Sequence, residues 1–212
     1  MKLYHCADAR SLRPLWAIEE LAIDCELVTL PFPPRVRNKA FLEHNPLGTV
    51  PLLVDGETRM TESAAICDYL GHRFGPTDLI VAPEEPGYGA YLNGLHQGEA
   101  TLTFPLTLVL RYGRFEPLER RLPAVVEDYG RWFLARLRVL ADTLEREPFV
   151  AAQRFTMADI SIGYALFLGR AVGLSADYPG TVARYAERIL ARPGFVRARA
   201  RQGAADTLGH VA

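Results

Sequence analysis

Every stretch of strand-type alternation in this sequence falls before residue 75, and none returns afterwards. Lys2–His5, residues 25–30, residues 50–54 and Thr58–Met60 alternate apolar and polar positions in the manner of half-buried strands. Beyond a stretch rich in Gly and Pro at 75–86, the apolar positions recur instead at helical spacing, through 88–110, 123–145, 157–172 and 181–191. Pro123, Pro148, Pro179 and Pro193 punctuate those stripes at their expected ends. A chain patterned this way cannot close one continuous sheet. It predicts a mixed α/β domain over 1–76, a linker over 77–86 and an all-helical domain over 87–212.

The first part can be ordered further. Residues 11–23 carry Leu12, Leu15, Trp16, Ile18, Ala22 and Ile23 on a helical stripe, so residues 2–30 read as a βαβ unit. Pro31 to Pro34 interrupt the pattern, and a short helix near residues 39–43 must stop before Asn45-Pro46, because a residue preceding proline avoids the α region. Asp55-Gly56 is a hairpin signal between the last two strands, and residues 63–74 form a closing helix. The order βαβ, helix, hairpin, helix resembles the thioredoxin-like layout.

Charge and cysteine usage narrow the function. With 24 Lys and Arg against 25 Asp and Glu, the chain lacks the basic excess of a nucleic-acid binder. The one basic run, Arg192, Arg197, Arg199 and Arg201, reads as a solvated helix face. Lys2, Asp8 and Arg10 interrupt any signal-peptide core, and no apolar run is long enough to span a bilayer. Three cysteines, Cys6, Cys25 and Cys67, suit neither a disulfide framework nor a metal site. A soluble cytoplasmic protein without metal, membrane or nucleic-acid partner is expected.

Two short segments carry chemistry. Residues 45–56 read Asn-Pro-Leu-Gly-Thr-Val-Pro-Leu-Leu-Val-Asp-Gly. Pro51 at a strand start removes a ladder donor and suits a bend such as a cis peptide, which leaves the backbone of Val50 unpaired and able to take an extended peptide ligand. Thr61-Glu62-Ser63 leads into a helix, with Ser63 expected as its N-cap. A helix N-terminus attracts a carboxylate and Glu62 attracts an ammonium, so together they fit both ends of an amino-acid zwitterion.

Val50-Pro51 followed by Glu62-Ser63 resembles the glutathione-binding signature of cytosolic glutathione transferases of bacterial type. Phe155-Thr-Met-Ala-Asp-Ile160 is similar to a motif near the start of a core helix in that family's helical domain, so the resemblance spans nearly the whole chain. That motif also reads as a cap, with Thr156 as N-cap and Asp159 at N3. The resemblance implies glutathione as co-substrate, Val50 and Pro51 beside its cysteinyl backbone, and Glu62 and Ser63 at its γ-glutamyl end. It also implies a basic residue for the glycine carboxylate, for which Arg37 and Lys39 have suitable spacing, and a homodimer.

The family ionises the glutathione thiol with a Tyr, Ser or Cys near the first helix. Here, aligning on Arg13, the serine-type position holds Ala9 and the cysteine-type position holds Arg10. Ser11 and Arg10 are the catalytic candidates. Pro14 lacks an N–H, so the helix begins with Ser11 as N-cap, its hydroxyl placed to cap Arg13, between two arginines that favour a thiolate. Cys6 is the rival, without any Cys-x-x-Cys. Asn93, His96 and Glu99 share a helical face, with Tyr112 beyond, and are candidates for the second-substrate pocket, an apolar cavity that the resemblance sets between the domains. The expected activity is conjugation of glutathione to small apolar electrophiles. Disulfide or peroxide reduction, and a non-catalytic binding or assembly role, are the alternatives.

Overall fold

The computed structural model describes residues 1–203; residues 204–212 of the expected helical domain lie outside the described residues. Contacts divide the chain into two units. One comprises Met1–Thr77 with residues 192–203, and the other Asp78–Ala191.

The first unit is built on four strands, β1 (Lys2–His5), β2 (Glu26–Thr29), β3 (Leu52–Asp55) and β4 (Thr58–Met60), ordered β2-β1-β3-β4. β1 runs parallel to β2 and antiparallel to β3, with Leu3 opposite Leu27 and Leu53. The parallel pair requires a crossover, supplied by α1 (Leu12–Leu21). β3 and β4 are joined through Gly56, whose φ of 59° suits a tight hairpin turn. Tyr4 and Cys6 pack with Leu30, Phe41 and Leu52 into one core cluster. α2 (Pro34–Arg37), a 3-10 turn at Lys39–Glu43 and α3 (Ser63–Arg73) complete the thioredoxin-like layout.

The basic run is a partly solvated face, as expected, but its arginines also pair with carboxylates of the first unit. Arg192 is the N-cap of α9 (Pro193–Arg201) and the other three arginines lie on that helix, which packs against α1 inside the first unit. Arg192 makes a two-pronged bond to Glu20, at 2.8 and 2.9 Å, and Arg197 and Arg201 both reach the Glu19 carboxylate. Trp16, fully buried on α1, meets Phe195 edge-on at 4.7 Å. Gly194 allows this approach, since a Cβ there would lie 2.5 Å from the Glu20 carboxyl carbon. Sequence patterning grouped this helix with the helical domain because an arginine stripe looks the same whether water or carboxylates face it.

The second unit is helical: α4 (Tyr88–His96), α5 (Phe104–Leu110), α6 (Pro123–Leu144), α7 (Met157–Ala171) and α8 (Gly180–Leu190). α7 is its core, buried from Met157 through Leu166. Thr156 is its N-cap as expected, with Asp159 accepting bonds from the Thr156 N–H and hydroxyl, the Val150 N–H and the Tyr185 hydroxyl. The stripe at 88–110 departs from its expected regularity. Between α4 and α5 the chain forms a wider π-helical stretch, Gln97–Thr103, and a second one follows at Arg111–Phe115. Gly98 is the reason a wide turn fits: its α-carbon lies against α7, and a Cβ would come 2.3 Å from Ser161 Oγ. The hydroxyls of Thr103 and Ser161 then take up the carbonyls of Gly98 and Leu95. Among the described residues, no helix is long and apolar enough to cross a membrane.

Candidate functional site

Three loops of the first unit carry the residues singled out from the sequence. The segment before β3 is shaped by Asn45, a buried side chain that donates from Nδ2 to the Thr49 carbonyl at 2.8 Å and accepts the Leu47 N–H at 3.2 Å. Gly48 turns with φ of 60°, where a Cβ would lie 2.5 Å from that of Arg35. The chain then reaches Val50-Pro51, which is a cis peptide. Val50 lies two positions before β3 begins at Leu52, and its N–H and C=O make no hydrogen bond to the described residues. A free backbone edge beside a sheet can accept an extended peptide.

The second loop enters α3. The N-cap is Glu62 rather than Ser63, which is the first helical residue. Glu62 is exposed with extended backbone and makes no side-chain cap, so its carboxylate remains at the surface beside the helix N-terminus. Ser63 is buried, and its hydroxyl accepts a bond from Arg13 Nη1 at 3.2 Å. Arg13 is itself fully buried on α1. It is therefore not a solvent-facing flank of the first helix but a link between α1 and the start of α3. A buried Arg held against Ser63 orients that hydroxyl, leaving its proton available to a ligand acceptor.

The third loop is the β1–α1 turn. Ser11 is the N-cap of α1, and Pro14 stands at the third helical position, both as expected. The hydroxyl does not cap Arg13, however. It turns back to Cys6, donating to the carbonyl and accepting the N–H, each at 3.2 Å, and Ser11 is fully buried. Within the turn, Asp8 adopts a left-handed φ of 57° and Arg10 is half-buried. Cys6 is buried, and desolvation pushes its thiol up to about 12. Cys67, buried in α3, is likewise raised to about 12 by desolvation, despite the opposing charge of Arg13. Neither is a thiolate near neutral pH.

Arg37 ends α2 and Lys39 opens the following 3-10 turn, both exposed. In the second unit, Asn93 and His96 are exposed on α4, while Glu99 lies in the first π-helical stretch and Tyr112 in the second. The 3.6-residue spacing that put Asn93, His96 and Glu99 on one face therefore fails after His96.

Sequence reasoning missed two features of the first unit. The Arg13–Ser63 bond joins residues 50 positions apart, and Gln202 reaches the β1–α1 turn from 194 positions away. No local pattern encodes either one.

Comparison with known proteins gives a consistent result. Residues 3–78 match the family described as glutathione S-transferase, N-terminal domain. The chain is 30% identical to glutathione S-transferase F13 of Arabidopsis thaliana, over 93% of this chain and 94% of that one. It is 28% identical to glutathione S-transferase GstA of Escherichia coli O157:H7, over 96% and 99%. Among solved structures, a sphingomonad glutathione S-transferase complexed with glutathione superposes with a TM-score of 0.84 at 26% identity, covering 97% of this chain and all of that one.

Proposed function

This chain belongs to the glutathione S-transferase family of enzymes, and from that membership we propose that it binds glutathione on its first unit and transfers the thiolate to small apolar electrophiles. The observation that carries the binding site is the arrangement at the start of α3. A surface carboxylate, Glu62, adjoins a helix N-terminus whose first hydroxyl, Ser63, is fixed by a buried arginine. Glu62 takes the glutathione ammonium, while Ser63 and the helix end take the adjoining carboxylate. The unbonded backbone of Val50 pairs with the cysteinyl backbone, with Pro51 following it. Arg37 and Lys39, both exposed cations, serve the glycine carboxylate.

Ionisation of the thiol falls to Arg10. The Ser11 hydroxyl is committed on both sides to Cys6, and Arg10 places a cation in the turn entering α1, where positive charge favours a thiolate. In the conjugation itself, the thiolate sulfur forms a bond to the electrophilic carbon, and the leaving group departs with the displaced electron pair. Asn93, His96, Glu99 and Tyr112 are proposed to contact the second substrate. The buried, high-pKa Cys6 works against a Cys6-based reductase. The committed Ser11 hydroxyl favours one other reading, a glutathione-binding protein without conjugating activity.

Calorimetry tests the site. Glu62→Ala and Ser63→Ala should each weaken glutathione binding by more than tenfold, in line with about 2–5 kcal/mol for leaving a charged end of the bound ligand unpaired. Unchanged affinity in both variants would remove the assignment. An ultraviolet difference spectrum of wild-type protein with glutathione then separates the two readings: a conjugating enzyme shows a bound thiolate at neutral pH.

A further inference from the structure

The side chain of Gln202, one residue past α9, lies buried among His5, Asp8 and the β1–α1 turn. Its amide makes three hydrogen bonds there. Nε2 donates to Asp8 Oδ1 at 2.6 Å, and Oε1 accepts the Asp8 N–H at 3.2 Å. The third runs between Oε1 and His5 Nε2, also at 3.2 Å. The first two bonds fix the orientation of the amide, because a backbone N–H can only donate and a carboxylate can only accept. His5 must then carry its proton on Nε2. Arg199, one helical turn earlier on α9, pairs with the same Asp8 carboxylate.

Both the backbone and the side chain of Asp8 are thus held from α9, at the residue whose left-handed φ gives the turn its course. Asp8 stands two residues before Arg10 and three before Ser11, so this clamp holds the part of the turn from which Arg10 departs. The network is not needed to close the α1–α9 seam. Trp16 with Phe195, Glu20 with Arg192, and Glu19 with Arg197 and Arg201 hold that seam along its length.

We propose that Gln202 is a positioning residue for thiol activation, holding the β1–α1 turn through Asp8 so that the charge of Arg10 stays on the glutathione sulfur. The proposal rests on the glutathione-transferase reading above. Asp8, His5 and Arg199 are the titratable groups that meet at the amide.

The test is the pH dependence of conjugation, with the pKa of bound glutathione read by ultraviolet titration, in full-length wild-type protein and in Gln202→Leu. The variant keeps the side chain's bulk and loses all three bonds. Expected is an upward shift of about one pH unit in both curves, so that activity near pH 6.5 falls about tenfold and largely recovers at high pH. Binding of S-methylglutathione, which has no thiol to ionise, should change less than threefold. Arg197→Ala, which weakens the seam away from Asp8, should lower thermal stability without moving the pH curve. An unshifted pH curve in a folded Gln202→Leu protein overturns the proposal, as does an equal shift in Arg197→Ala. If Gln202→Leu does not fold, Asp8→Asn is read instead; it removes the charge held by Arg199 and the acceptor strength on Nε2, and the same shift or its absence decides. Failure of the parent reading is separate: wild-type protein would then bind glutathione without lowering its thiol pKa, or not bind it.

Discussion

His5 shows how a single buried side chain makes stability depend on pH. It is fully buried, and desolvation lowers its pKa from 6.5 to about 4, outweighing the amide of Gln202 and the Ser11 backbone, which favour the proton. Between these values the unfolded chain binds a proton that the folded chain refuses. Stability from this residue is therefore complete above pH 6.5 and lost as pH falls toward 4, at up to about 1.4 kcal/mol per unit. Denaturant melts at pH 7 and pH 5 should differ by about 2 kcal/mol on account of His5. In His5→Leu the gap should shrink by that amount, and an unchanged gap would show that His5 is not the group titrating. At this scale the sequence was informative where chemistry is local. The cis bond at Val50-Pro51 and the Ser11 N-cap rest on short motifs with a physical reason, and each was legible, whereas the cap of α3 falls on Glu62 and not on the expected Ser63. The direction of a hydroxyl was not. Ser11 turns to Cys6 and Ser63 to Arg13 because of partners that a linear pattern does not bring together.

Among elements, the segment from α4 through α5 departs furthest from what periodicity suggests. Apolar stripes and a 3.6 repeat predict one regular helix, yet a π-helical turn intervenes where Gly98 meets the backbone of α7. The cause is steric and lies on another helix, which is why periodicity alone could not reveal it. Gly98→Ala would put a Cβ 2.5 Å from the Ser161 carbonyl carbon and 2.7 Å from the Ile162 nitrogen, atoms that cannot swing aside. A loss of about 1–3 kcal/mol is expected, seen as a melting temperature lower by about 2–4 °C for each kcal/mol. Gly89→Ala, on α4 with nothing within 4 Å, should have the opposite sign, gaining about 0.5–1 kcal/mol from lost backbone freedom in the unfolded chain. Thermal melts of the two variants decide the matter, and equal shifts would mean that the π turn is not set by close packing. Elements with strong two-residue or capped signatures came through well: β1, β4, α1 and α7 lie close to where alternation, proline and capping put them.

For the whole molecule, the division into a mixed unit and a helical unit was legible because strand patterning stops so sharply. The membership of α9 was not, since its partners, Glu19, Glu20 and Asp8, lie more than 170 positions earlier. A homodimer is proposed on family membership, and Val36 and Leu47 of the first unit are exposed apolar side chains that an interface would suit. Sedimentation at micromolar concentration should show a dimer, and a species of 23.6 kDa alone would contradict it. The return of α9 also bears on how the protein is made. A ribosome finishes α1 long before it reaches Arg192, so for most of synthesis the nascent first unit presents the Trp16 face uncovered. The first unit is thus among the last parts to be completed, and a premature stop within the helical unit would release a thioredoxin-like domain whose own first helix has nothing to close against.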